Sequence, residues 1–555
     1  MIHRTVVIGL DAAEPSLIER WMREGKLPHL AALRQAGGYG RLENFTHSNV
    51  ETAWTTFASG CRPEKTGHWA MLGLKKRSYE VYSVAAYDFK EFPPIFMLCG
   101  DRRVAVFDVP QVPLQPEING VHVTGWGAHS AQVPRGSVPP ELRDELIRRH
   151  GHSPSLDDDF AICLDLRTTD KLREPIRISA RRRADISVDL LRREPWDLFL
   201  TVYGETHGAG HVFWHLSQPN HPLYDAFKGK VSGDPLLEVY QEVDDGIGRI
   251  ADAAGRDATV LVFGGHGMGP ATIDIPSFAL LPELLYRYSF PGKVGIGIEP
   301  STGPTPPPLT KMKWNYWERH LWGYRFDRNP ISRFLRRETP TRVFSRLSHF
   351  LDPGDSEPLI SPFELTRRGD RNVPWLPPNW YRPSWPKMKA FALPSFGDGF
   401  VRINVKGREP HGIVAPEDYN SVCDEVCAML NRLRDARNRI PMVRDILRTR
   451  TNPLTDDDKL PDADLVVAWQ DEFATDLFES PDFGRLGPYP PYRAGSHRHQ
   501  GFVCARGPGI TPGMQIEGGH VMDMAPTILD LLDVPVPSHL DGTPLQLERE
   551  KVNKS

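Results

Sequence analysis

Cysteine is scarce in this chain: six residues in 555, at positions 61, 99, 163, 423, 427 and 504, with no Cys-x-x-Cys pair. So sparse a set excludes a disulfide-framed scaffold and a cysteine-built zinc module. An excess of one charge is missing too. The 67 Lys and Arg face 71 Asp and Glu, for a formal net charge of -4. A chain so balanced carries no polyelectrolyte footprint, which argues against nucleic acid as the main partner. No apolar run approaches the ~18 residues of a membrane span. The opening MIHRTVVIGLDAAEP holds six apolar or β-branched residues, Thr5 to Leu10, before Asp11; it reads as a strand and not as a secretory signal. The expectation is a soluble protein of the cytoplasm.

What the chain does have is a repeated grammar. Thr5–Leu10, Leu198–Tyr203 and Thr259–Phe263 are short, wholly apolar or β-branched runs, and each opens onto polar residues: Asp11, Glu205 and His266. Such strands alternating with amphipathic helices predict an α/β fold whose parallel sheet is covered on both faces. Ligands of open α/β sheets bind beyond the carboxyl ends of the strands, where these polar residues would sit. Proline interrupts the pattern at 299–308 (EPSTGPTPPP) and 374–386 (PWLPPNWYRPSWP), where ordinary helix and sheet are blocked. The expected division is therefore a core of residues 1–270 and 396–555, with 271–395 as a Pro/Trp-rich insertion that caps the site or serves as a packed linker. Cys423 and Cys427 fall at helical spacing with Val422, Val426 and Leu430 and read as small core hydrophobes.

Five pieces carry the ligand-type residues: Asp11; NVETAWTTFASGCRPEKTGHW from 49; GETHGAGHVFWH from 204; GGHGMGP from 264; and GSHRHQG from 495. His207 and His211, four residues apart, share a helical face and can offer two imidazoles to one cation. Each piece also has an ordinary explanation. The histidine spacing can be coincidence among 20 histidines, Asp11 or Thr52 can be a helix N-cap, and His266 a turn residue between glycines. Their joint placement in Gly-rich turns beside strands favours a site.

These stretches, in this order, resemble the alkaline phosphatase superfamily, and within it the bacterial type I phosphodiesterase and nucleotide-pyrophosphatase-like proteins. VVIGLDAAEPSLIERW, AWTTFASGCRPEKTGHW, ETHGAGHVFWHL, GGHGMGP, WPKMKAFALPSFGDGFVRINVKGREPHGIV, GSHRHQGFVCARGPGI and DMAPTILDLLDVPVP carry the likeness. The resemblance implies an alkaline-phosphatase-like fold, with a mostly parallel central sheet, helices on both faces and the Pro/Trp-rich insertion. It also implies two divalent metals, usually zinc, that clamp a phosphate ester while a Ser or Thr attacks in line. The resulting phospho-enzyme is then hydrolysed by water.

Carried over residue by residue, the first metal site takes His207 where the family commonly has Asp, His211 on its histidine and His497 on the late histidine. Asp11 matches the first carboxylate of the second site and His266 its histidine. Two departures fall on that second site: Gly265 stands where an Asp is usual, and Val50 stands at the nucleophile position. Thr52 is then the candidate nucleophile, and Glu51 a replacement ligand or general base. The alternatives are an idle second site, or one metal activating water with Glu51 or Glu205 handling the proton. Arg62 and Lys65 are candidate phosphate contacts, or else solvated surface charges. His499 reads as a loop residue, and Trp375, Trp380 and Trp385 as packing among prolines. The implied function is metal-dependent hydrolysis of a small phosphorylated substrate, a phosphodiester or nucleotide pyrophosphate, using one or two ions. The alternatives are a phosphomutase or phosphotransferase, or a degraded member that only binds a phosphorylated ligand.

Overall fold

The structure is a computed structural model that describes residues 4–47, 51–127, 132–155, 166–296, 303–309, 317–326, 329–340, 343–344, 346–347, 359–455 and 457–547. Five strands lie side by side and all run parallel: Thr259–Gly264, Thr5–Leu10, Leu198–Tyr203, Val104–Phe107 and Gly120–Thr124. Every residue of the first three is buried. Burial on both faces is why they read as continuous apolar runs. Val6 and Ile8 turn to one face with Phe199, Val260 and Val262, and Val7 turns to the other with Leu200, Val202 and Phe263. The first face is covered by the helices Pro15–Arg23, Leu166–Arg193, Glu205–Ser217 and Pro235–Ala254. Ala53–Ser59 and Met524–Leu531 cover the second. Beyond Thr259–Gly264 the sheet continues with Gly501–Arg506 and Gly38–Glu43 in antiparallel pairing. The mostly parallel α/β fold expected from the sequence is the one observed. Among the described residues no helix is long and apolar enough to cross a membrane.

A second layer is built differently. Ala390–Leu393, Gly399–Ile403, Leu465–Trp469 and Val443–Arg448 form a separate four-stranded antiparallel sheet. It shares a core with the segment Ile273–Ile296 and with Trp380 and Trp385. Those two tryptophans are fully buried, and Trp385 stacks on Phe391 at 4.5 Å between ring centroids. The expected boundary at 396 falls inside this sheet, between two paired strands, so the central sheet resumes only at Gly501. An apolar run of five residues reads alike in either sheet, and its partners are set by contacts far along the chain.

One buried ion network ties the helices to the sheet. Arg183 is fully buried. Its Nη1 lies 3.0 Å from Asp108 Oδ2, and its Nε lies 3.0 Å from Glu205 Oε2. Glu205 also accepts from Ser179 Oγ at 2.7 Å, and Asp108 from the backbone N–H groups of Trp126 and Gly127. Glu205 opens the helix that carries His207 and His211, so its carboxylate anchors that helix and is committed away from proton transfer. Removing the cation would strand two buried carboxylates. Arg183→Met should lower the unfolding free energy by about 3–5 kcal/mol, read from urea denaturation. A loss below about 1 kcal/mol, the worth of an exposed pair, would mean that the network is not structural.

Candidate metal centre

The register of the parallel strands assembles the site. Leu10 pairs with Tyr203 and Gly9 with Phe263, so Asp11, the Glu205–Ser217 helix and the Gly265–His266 turn all leave the sheet at one edge. The fourth contributor is a short antiparallel ribbon of Gly267–Pro270 and Gly495–Arg498, with Met268 opposite His497. Its glycines are required by proximity. A Cβ on Gly495 would lie 2.3 Å from the Gly210 carbonyl oxygen, and one on Gly210 would lie 2.7 Å from Met268 Cγ. Only this bare contact lets the helix lie against the ribbon and brings His211 to His497.

Three imidazoles converge there. His207, His211 and His497 are all buried, and each offers a ring nitrogen within 4.8 Å of the others'. The Nε2 atoms of His207 and His211 are 3.0 Å apart. The His211 Nδ1 lies 2.8 Å from the Gly495 carbonyl oxygen, so Nδ1 donates and the Nε2 lone pair faces the cluster. Burial, reinforced by His211, His266, His207 and Arg493, holds His497 well below the ordinary histidine range. Burial likewise lowers His266 to about 4, against the opposing pull of Asp11. Both rings are therefore neutral at pH 7, the form that ligates metal. Their Nδ1 atoms are buried without a hydrogen-bond partner among the described residues. This donor set fits a divalent cation.

Residues 5–302 match the family model for type I phosphodiesterase / nucleotide pyrophosphatase. The chain belongs to that family. No curated protein matches it. Among solved structures it is similar to phosphonoacetate hydrolase from Sinorhizobium meliloti 1021 in complex with phosphonoformate. That likeness is 13% identity over 96% of each chain, with a TM-score of 0.45. It is also similar to an inactive form of murine ectonucleotide pyrophosphatase / phosphodiesterase 5 in complex with AMP, at 11% identity, 97% and 96% coverage and a TM-score of 0.45.

Against the family pattern, the remaining residues divide. Asp11 and His266 stand together, His266 Nε2 lying 3.6 Å from Asp11 Oδ1, and the His266 and His497 ring centroids are 4.9 Å apart. Asp11 Oδ1 also accepts from Trp54 Nε1 at 2.9 Å, which ties it to the helix that follows Thr52. Gly265 leaves no carboxylate, and a Cβ there would meet Val521 at 3.0 Å. Its carbonyl instead accepts from Asn44 Nδ2 at 3.0 Å. Thr52 is buried at the N-cap of Ala53–Ser59, but its side chain makes no capping bond. Val50 lies outside the described residues. Glu51 departs from expectation. Its carboxylate accepts from the backbone N–H groups of Met71 at 2.5 Å and Phe396 at 2.7 Å, so it clasps two loops instead of joining the histidines. Lys65 is held by the His539 carbonyl and by Asp541, 3.1 Å away. Arg62 is exposed at the start of Pro63–Thr66. His499 bonds Asp471 Oδ2 at 3.0 Å.

Sequence reasoning missed Arg493 and Asp274. Arg493 reaches His211 Nε2 at 2.9 Å through Nη1 and grips Asp274 with its other edge. An acid inside the apolar stretch ATIDIPSF was the available signal, since a buried carboxylate needs a partner.

Acidification tests this electrostatic arrangement. His266 titrates at about 4 in the fold and near ~6.5 when unfolded, so between those values the unfolded chain binds more protons. Stability should fall as pH drops through that window. In chelator-treated protein, His266→Asn should flatten part of this slope and leave stability at pH 8 no more pH-dependent than before. Superimposable urea midpoints for the two proteins from pH 7 to 4 would contradict it.

Proposed function

We propose that this chain is a metal-dependent phosphoric-ester hydrolase acting on a phosphodiester or nucleotide pyrophosphate, with His207, His211 and His497 as cation ligands and zinc as the cation. The observation that carries the reading is the convergence of three buried imidazoles at the strand edge of a chain belonging to the phosphodiesterase family. A cation there would supply Lewis-acid charge at a phosphoryl oxygen. Asp11 and His266 flank the triad. With Gly265 in place of an acid and Glu51 committed to backbone, a second cation would find two protein donors, so we take one ion as the working state. Asp11 then contributes negative charge opposite the histidines, and His266, neutral at pH 7, is available to accept or donate a proton at Nε2.

Thr52 is the nucleophile in this reading. Its Oγ bonds to phosphorus, the leaving alcohol or phosphate departs with the proton, and water hydrolyses the phosphothreonine. Its burial at the head of Ala53–Ser59, whose N-terminal N–H groups can meet an anion, supports this role. The second reading is direct attack by a water that the cation activates, which needs no nucleophilic side chain. The second layer reaches the site through Glu51 and Phe396 and through Asp274 and Arg493, and we read it as the wall that selects the substrate. Its extent gives the proposed cap more chain than residues 271–395.

Elemental analysis of protein purified without chelator should find about one divalent ion per chain. His211→Ala should remove it and lower turnover of a phosphodiester by on the order of 100-fold or more. Retained metal with full turnover would sink the ligand assignment. Thr52→Ala should abolish the phosphothreonine trapped by acid quench and mass spectrometry; undiminished turnover in that variant would hand the attack to water. Release into added alcohol, in place of water, would identify a phosphotransferase.

A further inference from the structure

Arg493 is the buried cation that the proposed hydrolysis leaves without a task. Its guanidinium is divided in two. Nε lies 3.1 Å from Asp274 Oδ2 and 3.2 Å from Oδ1, while Nη2 lies 2.8 Å from Oδ1. Asp274 is fully buried and accepts a further bond from Ser496 Oγ at 2.8 Å. This fork fixes the plane of the guanidinium, as bidentate pairing does. The remaining edge is thereby aimed at the histidines, with Nη1 2.9 Å from His211 Nε2. That atom is the one whose lone pair faces the cluster, because Nδ1 is engaged by the Gly495 carbonyl. A guanidinium cannot surrender its proton to make way. Once the lone pair is given to a cation, His211 no longer accepts from Nη1, which stays oriented by Asp274 and can donate to an anionic oxygen in the same place.

We propose that Arg493 is a phosphate-binding residue of this site, donating from Nη1 to a non-bridging phosphoryl oxygen of the ligand, with Asp274 and Ser496 as the residues that position it. The inference rests on the proposed hydrolase reading and adds the group that recognises the phosphoryl oxygen. It also accounts for the burial of an arginine beside metal-type donors. Asp274 offsets the charge from one side, and an anion between the guanidinium and a cation would relieve the repulsion on the other.

The test separates phosphate binding from cation binding. Arg493→Lys keeps a positive charge for Asp274 but cannot hold the fork and reach the histidines together. Arg493→Met paired with Asp274→Asn removes both members, so that no charge is left buried alone. Zinc affinity is measured by chelator competition, and binding of inorganic phosphate to the zinc-loaded protein by calorimetry. In both variants phosphate should bind about tenfold or more weakly, while zinc affinity stays within about threefold of the parent or rises. Phosphate binding within about twofold of the parent would overturn the assignment. A parallel tenfold loss of zinc would also overturn it, by showing Arg493 to be a prop for His211. If the parent binds zinc but no phosphate, the hydrolase reading fails first and this inference goes with it.

Discussion

The contact on which the site depends is between two residues that have no side chains. Gly210 and Gly495 let a helix and a β-ribbon meet backbone to backbone, 2.3 Å separating the Gly210 carbonyl oxygen from where a Cβ on Gly495 would stand. Any larger residue at 495 would push the ribbon off the helix and carry His497 away from His207 and His211. Site precision here comes from shape, and the polar chemistry follows from it. The same approach delivers the Gly495 carbonyl to His211 Nδ1, so one backbone contact sets both the distance between the imidazoles and the tautomer of one of them.

Around that contact the protein holds its charges in closed sets. Arg183 is shared by Asp108 and Glu205, Arg493 is paired with Asp274, and Asp464 is met by Arg408 and Arg450. At the centre, burial keeps His266 and His497 neutral. A pocket arranged this way presents lone pairs to a cation without a large standing charge. Affinity for metal then costs little repulsion in its absence.

The parallel strands were legible because burial on both faces writes an unbroken apolar run, and the His207–His211 spacing was legible because a helix has a fixed period. The ribbon Gly267–Pro270 with Gly495–Arg498 was not: glycine and proline read as turns, and its strands are joined by hydrogen bonds between distant segments. The role of Glu51 was hidden for a related reason, since one of its partners, Phe396, lies 345 residues away. Arg493 and Asp274, 219 residues apart, are similarly invisible until the fold brings them together. The departure from the family pattern at Gly265, by contrast, was apparent from sequence, and the structure adds that Val521 crowds the space a side chain would take.

The strand Gly501–Arg506 lies between Thr259–Gly264 and Gly38–Glu43, and the ribbon bearing His497 immediately precedes it. During synthesis the amino-terminal half therefore leaves the ribosome with a gap in its sheet that only a segment made hundreds of residues later can fill. His207 and His211 wait through that interval as two imidazoles of an unfinished set of three. Completion of the histidine triad is thus coupled to closure of the sheet. A nascent chain that stalls before residue 497 has only two of the three imidazoles, and the third arrives with the ribbon that leads into the missing strand.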